Sequence, residues 1–437
     1  MDGDDRISAL PEEIKVSILS RLSIIDAVRT SVLSTSWRHL WTLLPGFRTD
    51  LDFSRDLNLF DYDPEVARSR WRAIVERLLS SLRGPIRHVR LQPPLYDESA
   101  IPTLLPFIYQ KGAALEKLCL HTNMHCFQIP YFRLLKHLHL HWVRICLPAD
   151  FQGFHHLTHL KLKHVKISRR DIHLLVNQSK KLTSFCSHYK LYPPDERSLS
   201  VTFNCPLLKS VYFIFHEFCK ETRISSASCL ESASIDAQLD APAGSLAEHL
   251  ALLAAPTMKF LSDVAHVSHL SLASVVLKCL SRVDVPHHFH LHFHQLRCLV
   301  LDDYMSYIDK RMFEMFCSLL KRMPCLELLK IECYNSEEDE ELVDRTPMNE
   351  YMNKQDGFHC FDQTLRKVAV FTCKLTSINI MMWIMYFVLL NAKMLDYIEI
   401  TFKVGDPQLT SSIIEELCEV EKASSNAKVF LRPQMEG

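Results

Sequence analysis

At 437 residues the chain is too long for one compact core, so it divides into two or three domains or spreads its core along a repeat axis. With 48% hydrophobic and 23% charged residues it has the composition of an ordered protein and no signature of disorder. Lys and Arg total 50 against 51 Asp and Glu, which excludes a global field for nucleic acid or an anionic membrane and leaves only local patches for charge-driven partners.

The acidic start, Met1 to Arg6, lacks the basic and then apolar sections of a secretory signal, and no apolar run reaches the roughly eighteen residues of a membrane span. The expectation is a soluble intracellular protein of the nucleus or cytoplasm, without membrane or nucleic-acid partners. The 15 cysteines are scattered without C-x-x-C spacing and read as small buried hydrophobes in a reducing compartment. Only 9 glycines are present, and none builds a phosphate loop. No catalytic motif appears, so catalytic residues, metal and cofactors are all expected to be absent.

From Leu10 to Leu44 the apolar spacing predicts three short helices. The first opens at Pro11, carries Glu12 and Glu13 at its positive end, and aligns Ile14, Ile18 and Leu22 in one stripe. The second carries Ile25, Val28 and Val32, and Ser34 stands where it would cap a third. That third helix bears Trp37, Leu40, Trp41 and Leu44 and stops at Pro45-Gly46. Two tryptophans so close exceed what a lone three-helix unit buries, so part of this face packs on another chain or the next domain.

The residues Asp5-Arg6-Ile7-Ser8, Leu10-Pro11-Glu12-Glu13-Ile14, Ile18-Leu19-Ser20, Asp26 to Ser34 and Trp37-Arg38-His39-Leu40-Trp41 resemble the F-box of plant F-box proteins with leucine-rich repeats, from about Asp5 to Phe53. The resemblance implies that the helices dock a Skp-type adaptor, which binds a cullin scaffold. Leu10, Pro11, Ile14, Ile18, Leu19, Leu22, Val28, Leu33 and Trp37 match the family's apolar positions, some core and some adaptor-facing. The chain departs from its relatives in two places: Ser23-Ile24-Ile25-Asp26 replaces the usual Pro-Thr-Lys-Asp, and Thr35-Ser36 replaces a basic pair. Both lie at helix ends and should touch affinity more than fold.

A charged, helix-like stretch from Asp63 to Leu82 leads into a recurring L-x-x-L-x-L pattern, in which other aliphatic residues stand in some leucine places. Copies begin at Ile86, Leu115, Leu135, Leu157, Leu182, Leu208, Leu230, Val267, Leu296 and Leu326. Steps of roughly 20 to 30 residues are leucine-rich-repeat periods, each giving one strand. Because strand side chains alternate, the last two consensus residues point inward and their neighbours line a concave face.

That register exposes His88, Arg90 and Gln92, then Lys117, Cys119 and His121, His137, His139 and His141, and His159, Lys161 and Lys163. Later strands expose Ser210, Tyr212, Ile214, Ser232, Ser234, Asp236, Cys298, Val300 and Asp302. The face is basic and histidine-rich near the start and neutral to acidic further on. His88, Arg90, Lys117, His121, His137, His139, His141, His159, Lys161 and Lys163 are the candidate substrate-binding residues, suited to an acidic or phosphorylated segment. The competing reading is a solvated face that binds nothing.

In the cluster His287, His288, His290, His292 and His294 the last four would share one face of a strand, a possible zinc or copper site, but no carboxylate or thiol completes a ligand spacing, so a solvated strand or loop is the simpler account. The run Glu337 to Glu341 reads as a mobile loop at a boundary. From Cys360 the pattern is strand, apolar helix (Ile380 to Leu390) and strand, and with Leu389-Leu390-Asn391-Ala392-Lys393-Met394-Leu395 it resembles the FBD segment that closes many plant F-box repeat proteins. The apolar helix reads as a buried cap, with a partner-binding surface as the alternative.

The expected architecture is α/β: a three-helix F-box (1–53), a connector (54–85), a leucine-rich-repeat solenoid or horseshoe (86–335), an acidic linker (336–359) and an FBD-like strand-helix-strand cap (360–437). The expected function is a non-catalytic substrate receptor of an SCF-type ubiquitin ligase. The alternatives are a repeat receptor for a small signalling molecule and a ligase-independent scaffold.

Overall fold

The computed structural model describes residues 7–22, 24–43, 50–53, 64–81, 85–93, 100–122, 126–191, 201–216, 222–238, 246–282, 291–302, 310–333, 357–374, 378–404 and 415–433. They fall into two compact units, 1–196 with 203–208 and 197–202 with 209–437, each taken by itself below. His287, His288, His290, Leu44 and the acidic run 337–341 lie outside the described residues.

In unit 1, α1 (Glu12–Leu19) starts directly after Pro11, whose backbone is extended, and α2 (Ile24–Arg29) tightens into a 3₁₀ turn, Thr30–Val32. The expected third α-helix is instead a series of turns ending in a 3₁₀ segment, Leu40–Leu43. Its cause is local: Ser34 Oγ does not cap a helix but meets Ser8 Oγ at 2.9 Å and Ser36 Oγ at 2.8 Å. Lys15 is buried against the same loop, donating to the Ser8 carbonyl (2.6 Å) and Ser36 Oγ (3.2 Å), 5.9 Å from the Trp37 ring centroid. Thus Ser36, one of the family departures, becomes a structural partner of Lys15.

The sheet of unit 1 begins earlier than the repeat pattern suggests. β1 (Asp50–Phe53) is followed by α3 (Pro64–Ser81), β2 (His88–Leu91), α4 (Ala100–Lys111), β3 (Lys117–His121), β4 (Cys126–Gln128), β5 (His137–His141), β6 (Arg144–Cys146), β7 (His159–Ile167), α5 (Arg169–Asn177) and β8 (Ser184–Leu191). The order β1-β2-β3-β5-β7-β8 is parallel, with β4 and β6 paired beside it. Asp50 pairs with His88, so α3 connects two neighbouring strands of the sheet.

The repeats from Leu115 to Leu182 close in the same way, whereas the Ile86 N–H donates to the Lys111 carbonyl. The first consensus residue donates its N–H three residues back (Leu115 to Gly112, Leu135 to Phe132, Leu157 to Phe154), and the next two N–H groups share one carbonyl of the preceding repeat, as Glu116 and Lys117 share that of Arg87. Ile86, Leu115, Leu135 and Leu157 are fully buried. α5 is fixed by its cap: Ser168 Oγ accepts from the Asp171 N–H at 3.0 Å, and the buried Asp171 carboxylate accepts from Leu147 N–H at 3.3 Å.

Past β9 (Val201–Asn204), unit 2 holds β10 (Ser210–His216), β11 (Thr222–Ser225), β12 (Ser232–Gln238), α6 (Leu246–Asp263), β13 (His269–Ala273), α7 (Ser274–Ser281), β14 (Cys298–Asp302), α8 (Lys310–Leu320), β15 (Leu328–Cys333), α9 (His359–Gln363), β16 (Lys367–Lys374), α10 (Ile378–Asn391), β17 (Tyr397–Val404) and β18 (Lys428–Pro433). From β10 to β18, leaving out β11, the strands form a parallel sheet in chain order. β11 is tied to α6 by Arg223, which grips Asp263 with Nε (2.8 Å) and an η nitrogen (2.7 Å). α10 buries Ile384, Met385, Phe387, Val388 and Leu389, and Phe387 meets Phe313, Phe358 and Phe361 edge-on at centroid distances of 5.2 to 5.5 Å. Two strands follow it, so α10 is a repeat helix within the sheet series. Among the described residues no helix is long and apolar enough to cross a membrane.

Candidate functional site

The N-terminal module separates into a core and a face. Leu19, Ala27, Trp37 and Leu40 are buried, whereas Ile14, Ile18, Leu22 and Leu33 are 41–60% exposed and Val32 is 85% exposed. Of the nine adaptor candidates, Leu19 and Trp37 therefore hold the module together. Ile14, Ile18, Leu22, Leu33 and Pro11 face solvent, and Leu10 and Val28 are intermediate. Val32 and Ile7, the latter 60% exposed, join this surface, although neither stood among those candidates. Separate exposed aliphatic residues are ordinary, but five on one small module make a patch suited to a partner.

The second surface lies on the sheet of unit 1, where strand register sets its side chains in rows. One row runs His88, Lys117, His137, His159; the next Arg90, Cys119, His139, Lys161, Cys186; the third His121, His141, Lys163, His188. All ten substrate candidates fall in these rows, as the repeat register requires. The exception to the expected exposure is Cys119, which is buried, its Sγ 3.4 Å from His139 Nδ1. Burial raises that thiol's pKa and pushes His139 down to about 4, so the proton stays on sulfur and the pair holds no activated thiolate.

His121, His137, His139 and His141 are held toward the neutral form. Burial pushes His141 to about 4, assisted by His121, His164, Lys163 and His188, and lowers His121 and His137 as well. They stack instead: His121 on His141 at 4.1 Å and His137 on His159 at 4.4 Å. Positive charge rests on Arg90, Lys117, Lys161 and Lys163. Arg90 stands 3.5 Å from Asp52, while Lys117, Lys161 and Lys163 form no ion pair among the described residues. Between these cations opens a cleft of about 280 Å³ lined by Arg90, Gln92, Cys119, His121, His139, His141, Lys161 and Lys163.

Of the histidine cluster before Leu296, only His292 and His294 are described; both are exposed, with rings 5.4 Å apart. No group of three or more metal-binding side chains occurs among the described residues. The cysteines there are free, and Cys126, Cys229, Cys325 and Cys418 are exposed, contrary to the buried role expected of them all.

Residues 7–49 match the F-box domain family, and residues 114–331 match the family described as "FBD-associated F-box protein At5g56370, LRR repeats". The chain belongs to the F-box/FBD/leucine-rich-repeat family. It is similar to the Arabidopsis thaliana F-box/FBD/LRR-repeat protein At1g13570, 31% identical over 184 residues, or 40% of this chain and 42% of that one. It is also similar to F-box/FBD/LRR-repeat protein At1g51370 of the same plant, 34% identical over 169 residues, 37% of this chain and 34% of that one. A shorter stretch of 52 residues is 58% identical to the FBD-associated F-box protein At5g18780, 12% of this chain and 11% of the relative. The matches span less than half the length of these relatives.

Within this F-box protein the matched repeats include β3, β5 and β7, which carry most of the cleft, while Arg90 lies before them. Sequence reasoning missed the rings that border it. Trp142, directly after β5, and His164, within β7, have φ of 55° and 51° and stack at 4.2 Å and 12°, and the His164 ring meets His188 at 3.9 Å, tilted by 57°. The register slips between Lys163 and Val165 at the same point. An aromatic ring two places after the last consensus leucine in successive repeats, Trp142 after Leu140 and His164 after Leu162, was the available signal.

Proposed function

We propose that the chain is the substrate-recognition subunit of an SCF-type ubiquitin ligase of the nucleus or cytoplasm. The F-box holds a Skp-type adaptor and through it a cullin scaffold, the repeats hold the protein to be ubiquitinated, and a separate enzyme supplies the chemistry. The observation that carries this reading is the apolar face of Ile14, Ile18, Leu22, Val32 and Leu33, left exposed on a module whose family is an adaptor-binding one. Holding substrate and conjugating enzyme in one assembly raises the local concentration of substrate lysines at the reactive thiol.

The cleft argues against a small signalling molecule. Small-molecule pockets have mostly apolar walls, whereas this cleft is lined mainly by arginine, lysine, histidine and glutamine side chains beside Leu91, Leu120 and Leu140. Affinity capture with the full chain, beside a version lacking residues 1 to 50, tests the reading. Adaptor should be found with the first and absent from the second, and adaptor with neither overturns it.

A further inference from the structure

We propose that Cys126 and Cys146 form a redox-active dithiol, which a hydroperoxide converts reversibly into a disulfide joining β4 to β6. The inference is independent of the receptor reading above. Both cysteines are free, and their sulfurs meet at 2.9 Å. The fold arranges that meeting from two short paired strands, in which Cys126 stands opposite Arg144 and Gln128 opposite Cys146. Ile145, between Arg144 and Cys146, is turned into the core at 1% exposure, so strand alternation puts both thiols on the opposite, outward face. There Cys126 is exposed and Cys146 half-buried, and a small oxidant reaches the pair from solvent. Closure needs only a small shift of two side chains on strands of three residues each.

The two sulfurs have different parts. The hydrogen bond with Cys126, and then burial, hold the proton on Cys146, whose pKa is pushed up to about 11, with Asp171 adding to the rise and Arg144 opposing it. Cys126, the more exposed, is the sulfur that attacks. Its thiolate takes one peroxide oxygen, the O–O bond breaks, and the departing hydroxide takes up the proton that the thiol released, leaving a sulfenic acid and water. Cys146 then attacks that sulfur, the S–O bond breaks, and hydroxide leaves with the Cys146 proton as a second water. Two thiols and one hydrogen peroxide thus give one disulfide and two waters. A dithiol reductant reverses the step by exchange and becomes the disulfide itself. The other cysteines lack one half of this arrangement. Burial pushes Cys205 up to about 11 and Cys279, Cys317 and Cys360 up to about 12, which keeps them inert. Cys229, Cys325 and Cys418 are exposed, but among the described residues none of them has a second thiol within hydrogen-bond reach, so a sulfenic acid there meets no resolving partner.

The test treats the full-length chain with hydrogen peroxide, alkylates the remaining thiols and maps the peptides by mass spectrometry. Alkylation of Cys126 and Cys146 should fall together, at least about tenfold further than that of Cys205 or Cys279, as a peptide linking the two appears. Dithiothreitol should remove the link and restore both thiols. Cys126→Ser, which should melt like the natural chain under reducing conditions, should form no link at Cys146. In Cys146→Ser the first step has no resolving partner, and the cyclic diketone dimedone should trap a sulfenic acid at Cys126. Peroxide that leaves both thiols open to alkylation overturns the proposal, as does a link from Cys126 to a second chain in place of Cys146. A sulfenic acid trapped at Cys146 in Cys126→Ser, with none at Cys126 in Cys146→Ser, overturns the order of attack.

Discussion

The buried imidazoles of unit 1 make its stability depend on pH in a direction that can be worked out. Burial moves His139 and His141 from 6.5 to about 4. Lys161, Lys117, His137 and Arg90 press on the first, and His121, His164, Lys163 and His188 on the second, all in the same direction. A base whose folded pKa lies below its unfolded value binds fewer protons when folded, so its stability is whole above about 6.5 and drains away toward 4. Between pH 7 and pH 5 linkage sets a ceiling of about 2 kcal/mol for each ring. Both rings are partly solvated, which lowers this to roughly 1 kcal/mol each. The perturbation is His139→Gln with His141→Gln, which keeps polar side chains of similar reach and removes both titrations. Melting curves at the two pH values should show the natural chain losing about 2 kcal/mol more than the variant, a difference of roughly 4–8 °C for a unit of this size. Equal losses would refute the reasoning, as would ring titrations with midpoints near 6.5 for both histidines.

Two further changes test the packing. Leu33→Asp should abolish adaptor capture while moving the melting temperature by no more than about 0.5 kcal/mol would, because the side chain is 60% exposed, whereas Leu19→Ala at a fully buried site should cost about 2–5 kcal/mol and unfold the module. Asp263→Ala removes the bidentate partner of Arg223 and the acceptor of the Ile224 N–H (3.0 Å), and should cost about 2 kcal/mol in urea unfolding of unit 2 with capture unchanged.

The repeat strands were legible because one residue fixes each of them. The first consensus position closes a turn and disappears into the core, and the next two core positions follow with period two, so the exposed rows could be written down from sequence alone. The end strands were not legible for the same reason. Arg48 stands three residues before Leu51 and Asn426 three before Val429, so β1 and β18 lack the leading aliphatic residue although both pair in register. Within the F-box the helical stripe Ile14, Ile18, Leu22 was readable, but its exposure was not, since burial depends on where Leu19 and Trp37 pack. The protonation of the cleft was hidden most deeply. Histidine beside lysine reads as a basic surface, and only the depth at which the rings stack makes them neutral.

That neutrality decides which of the two units is the better place to recognise a charged partner. In unit 2 several groups of the corresponding rows are paired internally: Lys330 with Glu332, Arg432 with Glu399, and Tyr212 donates to Asp236 at 3.3 Å. A charged ligand arriving there must first replace contacts that the fold makes internally, and the exchange gains little. In unit 1 Lys161 and Lys163 stand over imidazoles that neither cancel nor add to their charge, so an arriving anion replaces only water. Surface lysines are common, but lysines left unpaired above a floor of neutral donors concentrate the electrostatic gain at one place on the sheet.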